Sequence, residues 1–265
     1  MNDTKRVEDI REHTLALDSS FKFWCAQCGQ CCRHREDLIL SPMDIYRLAK
    51  ALSIQPTQVY DWFCDAHIGQ SSYLPVIRLA PVGEDLHCPL LDANGLCSVH
   101  TSKPAACALY PLGRYISPQE GGKVQYYLQP VPCGDRRHSV TVREWLEDFD
   151  IDAEDKTFLQ WQQIQVALYE KLMVYVENND MLTVMAANQL IRPLLYFCYD
   201  TAEPFGPQFE KQIDVIMGII DYPASIRRSA RRYMGFANWL RLKKAVRESC
   251  THTHTDTHTE HKITY

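Results

Sequence analysis

Four cysteines lie within eight positions of one short segment, "WCAQCGQCCRHRED". They are Cys25, Cys28, Cys31 and Cys32. Thiolates separated by two residues converge on one metal because the intervening pair forms a tight turn. The first three cysteines repeat that spacing twice, whereas Cys31 and Cys32 are adjacent and would point to opposite sides of extended backbone. The segment therefore predicts metal binding, and the adjacent pair indicates either two centres or a bridge between two metals.

A second group of cysteines follows further along the chain, each near the edge of a predicted element. Its members are Cys88, Cys97, Cys107 and Cys133. The stretch "HCPLLDANGLCSVH" is typical of a short hairpin around an Asp-Ala-Asn-Gly turn, which would bring Cys88 and Cys97 together. Cys107 follows Pro104 in a predicted helical turn, and Cys133 follows the strand-like "KVQYYLQ". The eight cysteines of the two groups form the predicted ligand set.

The spacing of the cysteines is compatible with either iron or zinc as the bound metal. A C-x2-C-x2-C run with a remote Cys-Pro pair, here Cys88 and Pro89, matches ferredoxin-type ligation of a 4Fe-4S iron-sulfur cluster. Four thiolates drawn from a knuckle and a hairpin equally make a closed tetrahedral zinc site. His34, His87 and His100 each lie near a cysteine and are candidates to replace one as ligand. Eight thiols suffice for two zinc sites, a binuclear site, or one four-iron cluster with spare thiols beside it.

The order of the segments "CAQCGQCC", "CPLL", "GLCSVH" and "KPAACALYP", with a cysteine after them, resembles the YkgJ-like family called the CxxCxxCC zinc- or iron-chelating domain. The resemblance covers about residues 25 to 133. It implies a metal-chelating cysteine cluster in a bacterial cytoplasmic protein. A related cysteine cluster resembles the one found in flagellin lysine methylases. In those enzymes the cluster implies methyl transfer that depends on an iron-sulfur centre.

The composition of the chain is that of a globular protein. Of its 265 residues, 46% are apolar and 23% are charged, which suffices for a sizeable core. The N-terminal segment is charged and lacks the apolar stretch of a signal peptide, and nowhere do about 18 uncharged apolar residues run together. The eleven cysteines are an odd number, which argues against a disulfide framework. The sequence therefore predicts a cytoplasmic protein with reduced thiols and no transmembrane segment.

Short elements of both kinds are predicted around the cysteines. The segment "LILSPMDIYRLAKALSI" favours a strand that runs into a helix, with Ser41 as N-cap, Pro42 in the first turn and Asp44 completing a capping box. A second helix is predicted over "PTQVYDWFCDAHI", in which Cys64 is interpreted as a small buried hydrophobic residue rather than a ligand. "YLPVIRLAP" predicts another strand. These patterns indicate a small irregular α+β unit that a metal would staple together.

The second half of the chain has helical periodicity instead. Apolar residues recur at three-to-four spacing in four segments, over residues 158–178, 181–199, 207–221 and 224–247. We therefore predict an α+β protein, in which a cysteine-cluster metal-binding domain (1–140) precedes a mostly helical bundle (141–248). The low-complexity segment 249–265 is predicted to be a disordered tail.

The last predicted helix is strongly basic. The segment "SIRRSARRYMGFANWLRLKKAVRE" contains Arg227, Arg228, Arg231, Arg232, Arg241, Lys243, Lys244 and Arg247, with Glu248 as the only acid beside them. Such a helix suits nucleic acid, an acidic protein partner or a membrane surface, and a solvated face is the simpler interpretation. A net charge of -5 for the whole chain does not favour a nucleic-acid binder.

These patterns together predict a metal-binding protein whose biological role is unassigned. The sequence has no Gly-rich phosphate loop, nucleotide-binding fingerprint or GxSxG elbow, so the motifs leave open whether the protein is an enzyme. The alternative hypothesis is an iron-sulfur-dependent enzyme, such as a protein methyltransferase or an oxidoreductase.

Overall fold

The computed structural model describes residue 10 and residues 13–117, 120–130, 133–152 and 154–252, with side chains up to residue 244. It combines helices with small antiparallel sheets, which confirms the α+β prediction. Two compact units are formed. The first contains the described residues up to His67 together with Val76–Gln163 and Asp200–Glu203, and the remaining described residues form the second. The proposed boundaries at 140 and 248 stay predictions.

Eight short strands in the described chain form three small sheets. They are β1 (Thr14–Leu15), β2 (Ser20–Trp24), β3 (Ile39–Leu40), β4 (Cys64–Ile68), β5 (Pro75–Leu79), β6 (Leu112–Ser117), β7 (Lys123–Leu128) and β8 (Asp135–Thr141). The sheets have the orders β1-β7-β6, β2-β8 and β3-β5-β4. In the two-stranded sheet Ser20 pairs with Thr141 and Trp24 with Asp135, with a register shift between them. This pairing places the chain after β2 beside the chain before β8, where Cys25 and Cys133 lie.

The helices of the cysteine-rich part are short and capped by local signals. They are α1 (Pro42–Leu52), α2 (Pro56–Phe63), α3 (Ala105–Leu109) and α4 (Val142–Glu147). The predicted capping box of α1 is confirmed: the Asp44 backbone N–H donates to Ser41 Oγ at 3.2 Å, and the Ser41 N–H donates to the Asp44 carboxylate at 2.8 Å. Pro42 occupies the first turn. The strand-to-helix prediction for this segment is therefore correct.

The prediction that α2 extends through Cys64 is wrong. The helix ends at Phe63, and Cys64 begins strand β4. Pairing with β5 satisfies the backbone of this segment, and the Arg78 guanidinium of β5 donates to the Asp65 carboxylate at 2.7 and 3.0 Å. A long-range strand partner and a cross-strand ion pair therefore overrode the local helical pattern.

An aromatic core holds the elements of the first unit together. Trp145 of α4 packs edge-to-face against Phe21, Phe23 and Phe149, with ring centroids 5.5 to 5.8 Å apart. Its indole N–H donates to the carbonyls of the last two residues of α3 at 3.1 Å each. Partly buried Cys25 packs against this core. The core thus fixes β2, α3 and α4 relative to one another.

The second unit is helical, as predicted. Its helices are α6 (Met181–Tyr196), α7 (Phe205–Ile220), α8 (Pro223–Met234) and α9 (Phe236–His252), together with most of α5 (Lys156–Glu177). Ile164, Leu168 and Leu172 of α5 are buried at the predicted spacing.

The fourth helix is not continuous, contrary to the prediction of one helix over 224–247. Gly235 has φ 78° and separates α8 from α9, while its N–H caps α8 by donating to the Arg231 carbonyl at 3.0 Å. Glycine adopts this conformation at no steric cost, and helices commonly end on it. Helix α9 continues to His252, and the rest of the predicted tail, 253–265, lies outside the described residues.

Candidate metal centre

All eight cysteines of the predicted ligand set line one pocket in the first unit. They are Cys25, Cys28, Cys31, Cys32, Cys88, Cys97, Cys107 and Cys133. The pocket has about 920 Å³ of empty space, including its opening to solvent. Neither Cys64 nor Cys198 lines it. None of the eight pocket cysteines forms a disulfide, and neither do Cys64 and Cys198. The fold therefore gathers thiols from segments more than a hundred positions apart. We call the cavity that these eight cysteines line the thiol pocket.

The opening motif enters the pocket through a tight turn. Gly29, with φ 71°, begins a 3-10 turn over Gln30–Cys32. The Cys32 N–H donates to the Gly29 carbonyl at 3.1 Å. Because the turn reverses the chain between Cys28 and Cys31, thiols three positions apart come to the same pocket.

The second cysteine group is tied to the first by the backbone. The Cys88 N–H donates to the Cys32 carbonyl at 2.7 Å. Between Cys88 and Cys97 the chain turns around Asp92, whose carboxylate accepts two backbone N–H groups at 2.8 and 2.9 Å. The predicted hairpin is reduced to a single antiparallel bridge between Leu91 and Cys97. The turn still brings both cysteines to the thiol pocket.

Cys107 and Cys133 complete the pocket. Cys107 lies on α3, and burial raises its pKa to about 12. The Tyr110 hydroxyl lies 3.4 Å from the Cys133 sulfur. Gly134 has φ 88°, and a Cβ there would overlap the Phe23 ring. The chain beside Cys133 can therefore approach the aromatic core only with glycine at this position.

The adjacent cysteines Cys31 and Cys32 contact each other through their sulfurs. Their sulfurs are 3.9 Å apart. The hydrogen bond with Cys32 lowers the pKa of Cys31 to about 6 against the effect of burial, and the charges of Lys103 and Arg35 lower it further. The same hydrogen bond, together with burial, raises the pKa of Cys32. The pocket thus stabilises a thiolate before any metal is bound, and thiolates are the form that binds metal.

The thiols are gathered but do not yet stand at coordinating positions. Within the part of the chain that the structure describes, no group of three or more His, Cys, Asp or Glu side chains is placed so that it could hold a metal ion. Cysteine has one side-chain torsion that moves its sulfur between staggered positions. The donor set itself, eight thiols with no carboxylate lining the pocket, suits zinc or iron-sulfur and not a hard cation.

The three candidate histidines have different positions. His100 lines the thiol pocket, whereas His34 and His87 do not. The His87 Nδ1 lies 2.7 Å from the Asp85 carboxylate, which also pairs with Arg33 at 2.6 Å. His87 therefore supports the loop before Cys88, and His100 is the histidine that remains available as a ligand.

Arg35, Lys103 and Tyr110 also line the pocket, and the sequence patterns did not identify them as site residues. Arg35 and Lys103 are cations that face a thiol-rich cavity, and Tyr110 contacts a sulfur. Each lies within four positions of a cysteine, which is the signal that could have identified them.

A pocket that gathers reduced thiols from remote segments defines the class of cysteine-cluster proteins. Residues 24–134 match the family model CxxCxxCC, described as "Putative zinc- or iron-chelating domain". This part of the chain is therefore similar to the CxxCxxCC domain, and the resemblance seen in the sequence is confirmed. The match includes all eight cysteines of the thiol pocket. Neither a curated protein nor a solved structure matches the chain significantly.

Among the described residues, no helix has both the length and the apolar character that crossing a membrane requires.

Proposed function

We propose that the eight cysteines of the thiol pocket bind iron, as an iron-sulfur centre of the 4Fe-4S type, or zinc. The observation that carries this proposal is the convergence of all eight on one pocket. Reduced thiols of this kind suit the cytoplasm, which is the compartment we propose. An iron-sulfur centre would supply one-electron chemistry, whereas zinc would stabilise the fold and would not change its oxidation state.

The test is anaerobic purification of the full chain followed by metal and acid-labile sulfide analysis. Iron together with sulfide would support an iron-sulfur cluster, and zinc without sulfide would support a structural zinc site. Cys28→Ser and Cys31→Ser should lower the metal content, whereas Cys198→Ser, outside the pocket, should leave it unchanged. A chain that purifies folded without metal and takes up neither metal on reconstitution would refute the proposal.

An iron-sulfur-dependent enzyme, a methyltransferase or an oxidoreductase, is the second candidate. The pocket opens to solvent and Cys28 is exposed, so a small substrate could reach a centre bound there. Anaerobic turnover of a methyl or electron donor that is lost in folded Cys31→Ala would support it. Absence of turnover in the iron-loaded chain with both donor classes would count against it.

The basic helix supports a proposed acidic protein partner. Arg228, Arg231 and Arg232 of α8 are exposed, and this helix contains no acidic residue. Arg231 lies 4.9 Å from the centroid of the Phe236 ring, which is also exposed. Arg227 differs, because it pairs with Asp180. Binding to polyglutamate that weakens with salt and in an Arg228→Gln/Arg232→Gln variant would support the proposal; equal binding by the variant would refute it.

A further inference from the structure

Lys103 is a buried cation in the wall of the thiol pocket. Its residue is 7% exposed, and the ammonium lies 4.3 Å from the centroid of the Phe149 ring. Among the residues that the structure describes, no carboxylate forms an ion pair with it. A buried ammonium is costly unless an opposite charge compensates for it. The ring supplies part of that compensation. The rest would come from negative charge inside the thiol pocket.

Arg35, the other basic side chain of long reach in the pocket wall, has a carboxylate partner. Its guanidinium donates to both oxygens of the Asp37 carboxylate, at 2.6 and 3.3 Å. The Asp37 charge therefore offsets part of the arginine charge at the thiols. Among the described residues, Lys103 is the long basic side chain of the pocket wall without such a partner.

The position of the ammonium is fixed from several sides. Lys103 follows a 3-10 turn over His100–Ser102 and precedes buried Pro104. The Phe149 ring beneath it packs against Trp145 at 5.5 Å, and the Phe149 carbonyl accepts a hydrogen bond from Arg47 at 3.1 Å. The packed ring lies against the ammonium and the proline restricts the backbone beside it, so the charge is held in the pocket wall.

The ammonium shares its pocket with thiols from several segments. Cys31, Cys97 and Cys107 line the pocket together with Lys103. These three cysteines come from three separate segments, so one cation stands in a wall to which all three segments contribute.

We propose that Lys103 is the buried counter-charge of the metal centre and raises its affinity for metal. This inference rests on the proposed metal binding. Four thiolates around one divalent ion leave a net charge of about -2, which an apolar pocket tolerates poorly. The ammonium compensates for one unit of it. Lys103 is therefore a positioning residue that contacts no metal, and its charge matters more than its shape.

The test uses the full chain in metal-free, anaerobically reduced form. It is titrated with Co²⁺, followed by the thiolate-to-cobalt absorption, and in parallel reconstituted with ferrous iron and sulfide. Lys103→Met and Lys103→Gln should bind metal roughly 10- to 100-fold more weakly, as residues supporting a metal site commonly do. Lys103→Arg should stay within a few-fold of the native chain.

Lys50→Met is the matched control, because Lys50 lies over the Tyr46 ring at 5.9 Å and is exposed outside the thiol pocket. It should bind metal like the native chain.

A second measurement separates the charge from a structural role. Denaturant unfolding of metal-free Lys103→Met should show equal or higher stability, because an uncompensated buried charge is gone. Native-like metal affinity in Lys103→Met and Lys103→Gln would overturn the inference while leaving metal binding intact. The inference would also fail if metal-free Lys103→Met lost as much unfolding free energy as it lost in metal-binding free energy. A native chain that loads no metal in either arm would instead refute metal binding itself, and this inference with it.

Discussion

The Asp44 carboxylate of α1 accepts a hydrogen bond from the Ala105 backbone N–H, at 2.7 Å, across 61 positions of sequence. The same carboxylate caps its own helix through Ser41. Asp44 is buried, so few water molecules can replace it as acceptor. One side chain therefore joins a helix without ligand cysteines to the first turn of α3, which carries Cys107.

Asp44→Ala should lower the free energy of unfolding by about 1–3 kcal/mol beyond the loss of a cap, because the Ala105 N–H is left without its acceptor. Ser41→Ala is the control, since it removes the cap alone and should cost about 1 kcal/mol. Urea unfolding measures both. Amide exchange at Ala105 should accelerate in Asp44→Ala and not in Ser41→Ala; equal exchange in the two variants would contradict the assignment of this link.

Gly134→Ala should destabilise the first unit by about 2–4 kcal/mol, because the new Cβ meets the Phe23 ring in addition to the strain of a positive φ. Gly122→Ala separates these causes. Its φ is 78° but nothing lies within 4 Å of the added Cβ, so only the backbone strain of about 1–2 kcal/mol applies. Denaturant midpoints of the two variants should differ accordingly, and equal midpoints would show that the ring yields without cost.

Arg114→Met should destabilise the protein by about 3–5 kcal/mol, because it leaves the Asp155 carboxylate buried without its partner. Arg114 also lies 3.8 Å from the centroid of the Phe158 ring, and the Tyr126 hydroxyl lies 3.4 Å from the Asp155 carboxylate. The double variant Arg114→Met/Asp155→Leu should recover most of the loss, since both charges are then absent. A thermal-unfolding cycle over the single and double variants measures the coupling; additive losses would argue against a coupled pair.

The sequence was most informative where the signal is local. Ser41, Pro42 and Asp44 define the start of α1 through contacts within one turn, so their pattern was sufficient. The C-x2-C steps define a turn in the same way, and the residues beside each cysteine are sufficient to predict the eight that line the pocket. The residues that complete the pocket depend on what lies across it, which spacing along the chain does not encode.

Long-range contacts account for the errors. Cys64 follows a helical pattern, yet pairing with β5 gives its segment a better set of hydrogen bonds as a strand. The burial of Lys103 depends on Phe149, 46 positions away in the sequence, so its charge could not be placed at the thiols in advance. Gly235 offered a visible helix-ending signal, but the continuous apolar spacing around it favoured one helix.

Acid should remove the contribution of Asp180 to stability. Burial alone would raise its pKa, but hydrogen bonds from Thr183 and Arg227 outweigh it and hold the pKa below its usual value. A carboxylate with a lowered pKa stabilises the fold above its unfolded pKa of about 3.9, and that contribution is lost as the pH falls through the folded value. We therefore expect Asp180→Asn to flatten the acid side of a stability-versus-pH curve.

The neighbouring arginines supply the matched pair for this test. Arg227 donates from Nε to Thr183 Oγ1 at 2.7 Å and pairs with Asp180, whereas Arg228 is exposed and shares the same helix. Arg227→Gln should reduce stability at neutral pH and shift the acid transition toward higher pH, because Asp180 then loses a partner. Arg228→Gln should do neither. Urea unfolding of both variants between neutral pH and pH about 3 checks this, and identical curves would show that the ion pair contributes nothing to the fold.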